Sequence, residues 1–93
     1  MQYKTISIIC PIYNEEKYIG RFVQSLIEQD YDKSAMEVLL IDGFSTDNTR
    51  EFIHGIIKDY PFIKLIDNPR HTVPFALNTG IRNSSGEIIV RLD

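Results

Sequence analysis

The chain has 93 residues, 43% of them hydrophobic and 25% charged, with a formal net charge of −3. That fits one small globular domain, and its scattered Lys and Arg offer no basic face to nucleic acid. No apolar run approaches the roughly 18 residues of a membrane span, the N-terminus lacks a signal-peptide layout, and a single cysteine, Cys10, excludes a disulfide framework or multi-cysteine zinc site and suits a reducing, cytoplasmic setting.

Residues 5–10 (TISIIC) are rich in β-branched side chains and stop at Pro11, which predicts a buried strand. From 16 to 29, Tyr18, Ile19, Phe22, Val23, Leu26 and Ile27 recur at helical spacing and predict an amphipathic helix. A polar loop at 30–35 leads to a second, almost continuously apolar strand at 36–41 (MEVLLI), ended by Asp42-Gly43. The stretch STDNT then supplies helix-capping residues, and Phe52, Ile53, Ile56, Ile57 and Tyr60 form a second helical face that Pro61 stops. Residues 62–66 (FIKLI) predict a third strand, and after the loop DNPRHTV a third helix runs over 74–82 with Pro74 in its first turn. Ser84-Ser85-Gly86 breaks it, and 87–92 predict a fourth strand.

The order β-α-β-α-β-α-β with fully apolar strands points to an α/β, Rossmann-like, doubly wound and mostly parallel sheet with right-handed crossovers. No linker or repeat divides it, so residues 1–93 read as a single segment. Such sheets bind ligands beyond the carboxyl ends of their strands. Those ends carry PIYNEE, DGFSTD, DNPRH and Asp93. None is a glycine-rich phosphate loop, which disfavours a dinucleotide dehydrogenase or a P-loop NTPase. Carboxylates at a sheet edge suit ribose hydroxyls, base N–H groups and hard cations.

Each of these residues also has a plain structural use. Asp42 and Asp47 suit the turn into the second helix, Glu15 and Glu16 suit a first helical turn, and Asn14 suits an Asx-turn. Cys10 reads as a small buried apolar residue and His54 as a surface residue, whereas His71 lies in the loop facing the expected cleft.

The ordered set SIICPIYNEEKYIGRFVQSLIEQDY, VLLIDGFSTDNT and ALNTGIRNSSGEIIVRLD resembles the opening of glycosyltransferase family 2, inverting nucleotide-sugar transferases of GT-A fold. Its wording is nearest the branch of succinoglycan-type exopolysaccharide transferases. The resemblance implies a nucleotide-sugar donor, a UDP-sugar foremost, and a saccharide or lipid-linked saccharide acceptor. It further implies a cytoplasmic site, free or on the membrane's cytoplasmic face. It places Pro11, Ile12 and Tyr13 against the base, Glu15 at the ribose, Asp42 beside the base, and Arg70 at the base or diphosphate. Gly43 stands where many members have a second, base-bonding aspartate. Asp93 matches the first aspartate of the D-x-D motif, which reaches a Mg²⁺ or Mn²⁺ ion and the donor. The resemblance thus has the chain stop inside its metal motif, short of the catalytic base and the acceptor half. Strand four would then be left with an unpaired apolar edge prone to self-association. A non-catalytic nucleotide-binding module and a nucleotidyltransferase are the competing expectations.

Overall fold

The structure, a computed structural model, describes residues 4–92. Four strands, β1 (Ile6–Ile12), β2 (Met36–Asp42), β3 (Ile63–Asp67) and β4 (Ile88–Arg91), form one sheet in the order β3-β2-β1-β4. All three pairings are parallel. Helices α1 (Ile19–Ile27), α2 (Thr49–Ile57) and α3 (Val73–Asn83) connect them, with a single 3₁₀ turn at Lys33–Ala35 before β2. The expected doubly wound parallel α/β sheet is what the chain forms.

Strand alternation divides the core between two faces. On one, Ile8, Cys10, Val38 and Leu40 pack with Ile19, Val23 and Leu26 of α1 and Ile53 of α2. On the other, Ile9, Leu39 and Ile41 pack with Ala76 and Leu77 of α3. All seven residues of β2 are buried. At roughly 1.5–3 kcal/mol for each buried branched side chain, this strand and the β1 residues beside it dominate the hydrophobic term. β4 lies at the opposite extreme, with Ile88, Ile89 and Val90 exposed.

Three boundaries differ from expectation. β1 runs through Pro11 to Ile12, because the β1–β4 ladder extends only from Ile6 to Ile9 and no bond on that side requires a Pro11 N–H. α1 begins at Ile19 rather than near residue 16, since the Glu15 carbonyl accepts from both Tyr18 and Ile19 and closes a turn first. β4 is shorter than 87–92 and exposed rather than buried.

The amino ends of the strands are tied by one carboxylate. Glu37, second in β2, accepts from Ser7 Oγ of β1 (2.6 Å), from Ser85 N–H and Oγ before β4 (2.6 and 3.0 Å), and from Lys64 Nζ of β3 (3.2 Å). Burial alone would raise its pKa. The hydrogen bonds from Ser7, Ser85 and Lys64 outweigh that and hold it at about 2. Gly86 N–H donates to Ser7 Oγ at 2.8 Å, and a Cβ on Gly86 would lie 2.6 Å from the Ser7 nitrogen, so only glycine allows β4 to enter this close to β1.

Candidate functional site

At the carboxyl ends, three loops are bound to one another before any ligand is considered. Asn14, at φ 50°, bridges from the β1–α1 loop to the β2–α2 loop. Its N–H donates to Ser45 Oγ (2.8 Å) and its Nδ2 to Thr46 Oγ1 (3.2 Å), while its Oδ1 accepts from the N–H groups of Thr46 (2.7 Å) and Asp47 (3.3 Å). Alongside, Glu15 N–H donates to Thr49 Oγ1 (2.8 Å) and Glu16 N–H to Asp47 Oδ2 (3.2 Å). Asp47 also accepts from Thr49 N–H and Oγ1. Desolvation opposes its ionisation, but these bonds from Thr49 and Glu16 hold its carboxyl below the usual range. Asp47 thus shapes the turn into α2, and Asn14 makes an inter-loop bridge rather than an Asx-turn.

The third loop follows β3. His71, at φ 60°, places Nδ1 2.5 Å from the Gly43 carbonyl oxygen, so Nδ1 carries the proton, and its ring tilts against Phe44 at 5.6 Å. Phe44, too, has a positive φ of 61°. Arg50 of α2 clasps both strand ends, with one guanidinium nitrogen 2.7 Å from Asp42 Oδ2 and the other 2.8 Å from Asp67 Oδ1. These bonds, that to Asp42 first, raise its pKa further.

The interlocked loops enclose a cleft of about 190 Å³, lined by Pro11, Ile12, Tyr13, Glu15, Ile41 and Gly43 on one side and Asn68, His71, Thr72 and Val73 on the other. Four of the predicted residues, Pro11, Ile12, Tyr13 and Glu15, therefore meet at one place. Tyr13 is exposed at 52%, an aromatic face open to a planar partner. A second hollow of about 360 Å³ lies between Cys10, Tyr18, Ile19, Phe22 and Leu92, and Pro11, Ile12 and Glu15 line it as well as the cleft.

Asp42, expected beside the base, does not line the cleft. It is fully buried and its oxygens are taken by Arg50 and by Ser45, whose N–H and Oγ lie at 3.0 and 2.5 Å. Asp42 shares the strand face of Val38 and Leu40, the face that α1 and α2 cover, so its carboxylate meets Arg50 rather than the cleft. Arg70 is exposed but does not line the cleft; its guanidinium lies 4.7 Å from the Phe75 ring centre. Asp93 lies outside the described residues, as does any metal contact it makes. Among the described residues no three His, Cys, Asp or Glu side chains converge to hold a metal ion.

Sequence reasoning missed Ser45, Thr46, Thr49, Arg50 and Asn68 as parts of this region. The run STDNT did signal hydrogen-bonding capacity, but as helix capping. Its partners in the β1–α1 loop are more than thirty positions away, and no local spacing reveals them.

Comparison with known proteins agrees with this geometry. The profile described as "Glycosyl transferase family 2" matches residues 7–93. A Methanococcus voltae protein named dolichyl N-acetyl-alpha-D-glucosaminyl phosphate 3-beta-D-2,3-diacetamido-2,3-dideoxy-beta-D-glucuronosyltransferase is 40% identical over 91% of this chain and 27% of its own. Glycosyltransferase AglE of Haloferax volcanii is 37% identical over 95% of this chain and 29% of its own. Among solved structures, a Pyrobaculum calidifontis mannosyltransferase in complex with GDP-Man and Mn²⁺ superposes with a TM-score of 0.86 at 30% identity, covering 96% of this chain and 27% of the other. Staphylococcus aureus TarS in complex with UDP-GlcNAc gives a TM-score of 0.83 at 29% identity, covering 96% and 26%. The chain thus spans between a quarter and a third of the length of these relatives. With the family profile matched along nearly all of its residues and the strand-end loops gathered into a single cleft, the chain belongs to glycosyl transferase family 2 and has the parallel α/β frame of the GT-A fold.

Proposed function

We propose that residues 1–93 are the donor-binding segment of an inverting glycosyltransferase. It moves a sugar from a nucleotide-sugar, a UDP-sugar foremost, to a saccharide or lipid-linked saccharide acceptor in polysaccharide or glycoconjugate assembly, at a cytoplasmic site. The observation that carries this is the convergence of Pro11, Ile12, Tyr13 and Glu15 in one cleft at the carboxyl edge. Pro11 and the half-exposed Tyr13 ring, backed by the buried Ile12, offer apolar area to a heterocyclic base, and the Glu15 carboxylate is proposed to accept from ribose hydroxyls. Asp42 acts one step back, fixing Arg50 and through it the β2 and β3 ends. Arg70, exposed on the β3–α3 loop, is kept as a diphosphate contact that swings from Phe75. Support comes from two solved relatives, captured with GDP-Man and Mn²⁺ and with UDP-GlcNAc.

The donor's diphosphate is anionic, and a chain of net charge −3 neutralises it poorly. Asp93, a hard oxygen donor following β4, is proposed to hold a Mg²⁺ or Mn²⁺ ion. Such an ion, when bound, would offset diphosphate charge and stabilise the departing nucleotide. The chain's own contribution is to orient the donor. Asn14, Thr49 and Asp47 keep the β1–α1 loop in place so that little loop entropy is lost on binding. The exposed β4 residues Ile88, Ile89 and Val90 support self-association of the segment wherever no further strand covers them.

Titration of UDP with Mn²⁺ into the full-length protein tests this function. Binding is expected, and Asp93→Ala should weaken it about tenfold or more. Absence of binding, or an unchanged affinity in the variant, would sink the proposal.

A further inference from the structure

The two walls of the cleft are joined by one side chain. Residues 69–74, between β3 and α3, are all exposed. Most of the segment's bonds are local. His71 N–H donates to the Asn68 carbonyl (3.2 Å), Asn68 Nδ2 donates to the Thr72 carbonyl (2.9 Å), and the Arg70 guanidinium turns to Phe75. Among the described residues, its hydrogen bond and its ring contact to the opposite wall both come from His71, with Nδ1 on the Gly43 carbonyl (2.5 Å) and the ring against Phe44. A bond between an exposed side chain and a carbonyl is worth little net, because water competes for both groups. Against it stands the left-handed backbone of His71 (φ 60°), which costs a residue with a Cβ a comparable amount. Terms of similar size and opposite sign leave the bridged and unbridged arrangements close in free energy. The bridged cleft is also small: its volume of about 190 Å³ falls below the roughly 300–1,000 Å³ of pockets that enclose small organic ligands.

We propose that His71 is a latch on this cleft. While Nδ1 holds the Gly43 carbonyl, the cleft is too small for a nucleoside diphosphate. Release of that bond lets His71 leave the left-handed region and lets residues 69–74 move outward. The root of the segment stays fixed, because Asn68 N–H remains on the Asp42 carbonyl (2.7 Å). The donor binds the released state, so its apparent affinity is lowered by the fraction of molecules in that state. This deepens the proposed function and rests on it. Pro11, Tyr13 and Glu15 hold the donor, and His71 sets how often the site is open to it.

The test uses the full-length protein with Mn²⁺, titrated calorimetrically with UDP. Truncating a residue that touches the nucleotide weakens binding, whereas removing a latch tightens it, so the sign of the change decides. His71→Ala loses the bond and the ring contact and should bind UDP about threefold more tightly than the wild type. His71→Gly loses the same contacts but adopts the left-handed backbone at no cost. It should also bind more tightly than the wild type, and it carries the decision should the alanine variant fail to fold. The latch itself is read from the ¹⁵N shifts of the His71 ring in labelled protein at pH 8, where an ordinary imidazole is neutral. Nδ1 should carry the proton in the free protein, and saturating UDP should move it toward Nε2. Weaker binding in the variants would make His71 a nucleotide contact. Unchanged affinity, or a proton that stays on Nδ1 at saturating UDP, would make the bridge static. Each of these overturns the latch and leaves the nucleotide-sugar function intact. No binding of UDP by the wild type or either variant overturns both.

Discussion

The two ends of this sheet are built from the same materials and left in different states. At the amino end, Glu37 gathers Ser7, Ser85 and Lys64 around one carboxylate, and Gly86 closes the last gap against Ser7. At the carboxyl end, Asn14, Asp47, Thr49 and Arg50 bind three loops together just as densely, yet a cleft remains between them. The non-glycine residues with positive φ among those described, Asn14, Phe44 and His71, all lie at this second end. Such conformations are costly and persist where surrounding contacts overdetermine them, which is common around binding sites. One end is thus finished for stability, and the other is held in shape with capacity left over for a ligand.

The sharpest break in this comparison is Glu37→Ala, which strands Ser7 Oγ, Ser85 N–H and Lys64 around an empty place. A loss of about 3 kcal/mol is expected, seen as a lower denaturation midpoint in urea. The pH dependence follows in sign. The folded pKa, about 2, lies below the ordinary 4.5, so the carboxylate's contribution is complete above about pH 4.5 and lost as pH falls toward 2. Glu37→Gln should flatten the acid limb of stability in that window; an unchanged limb would mean that the carboxylate is not what closes this end.

A smaller effect is expected for Gly86→Ala, where the new Cβ would sit 2.6 Å from the Ser7 nitrogen and force β4 outward. About 1–3 kcal/mol should be lost, measured by thermal or urea unfolding. A cost no larger than that of a surface alanine would show that β4 has room to move. The smallest stability effect belongs to the carboxyl end. Asn14→Ala removes the side-chain bridge from solvent-exposed loops and should cost about 1 kcal/mol in the same unfolding measurement. Its nucleotide affinity should fall by more than this stability change, because the Pro11–Glu15 wall loses its support. An Asn14→Ala variant as unstable as Glu37→Ala would erase the distinction between the two ends.

Much of the frame follows from local chemistry. The β-branched runs of β1 and β2 and the helical spacing of Val23 and Leu26 or Ile53 and Ile57 reflect backbone periodicities that any fold must respect. Side-chain volume and period alone therefore determined the β-α order, the parallel sheet and the expectation of ligands beyond its carboxyl ends. The site was legible only in part. Pro11, Ile12, Tyr13 and Glu15 could be named because they are consecutive at one strand end, and they do line one cleft. Asp42 sits at an equally suggestive strand end, but strand alternation turns it toward α2, and which helix covers which face is set by packing across the whole sheet. Asn68 and Glu37 are legible as polar residues and nothing more. Whether a buried amide is satisfied, or a carboxylate closes four strands, depends on partners brought close by pairing β2 with β1 and β3. Those partners are hydrogen-bonded across the fold rather than along the chain, so only the tertiary structure decided them.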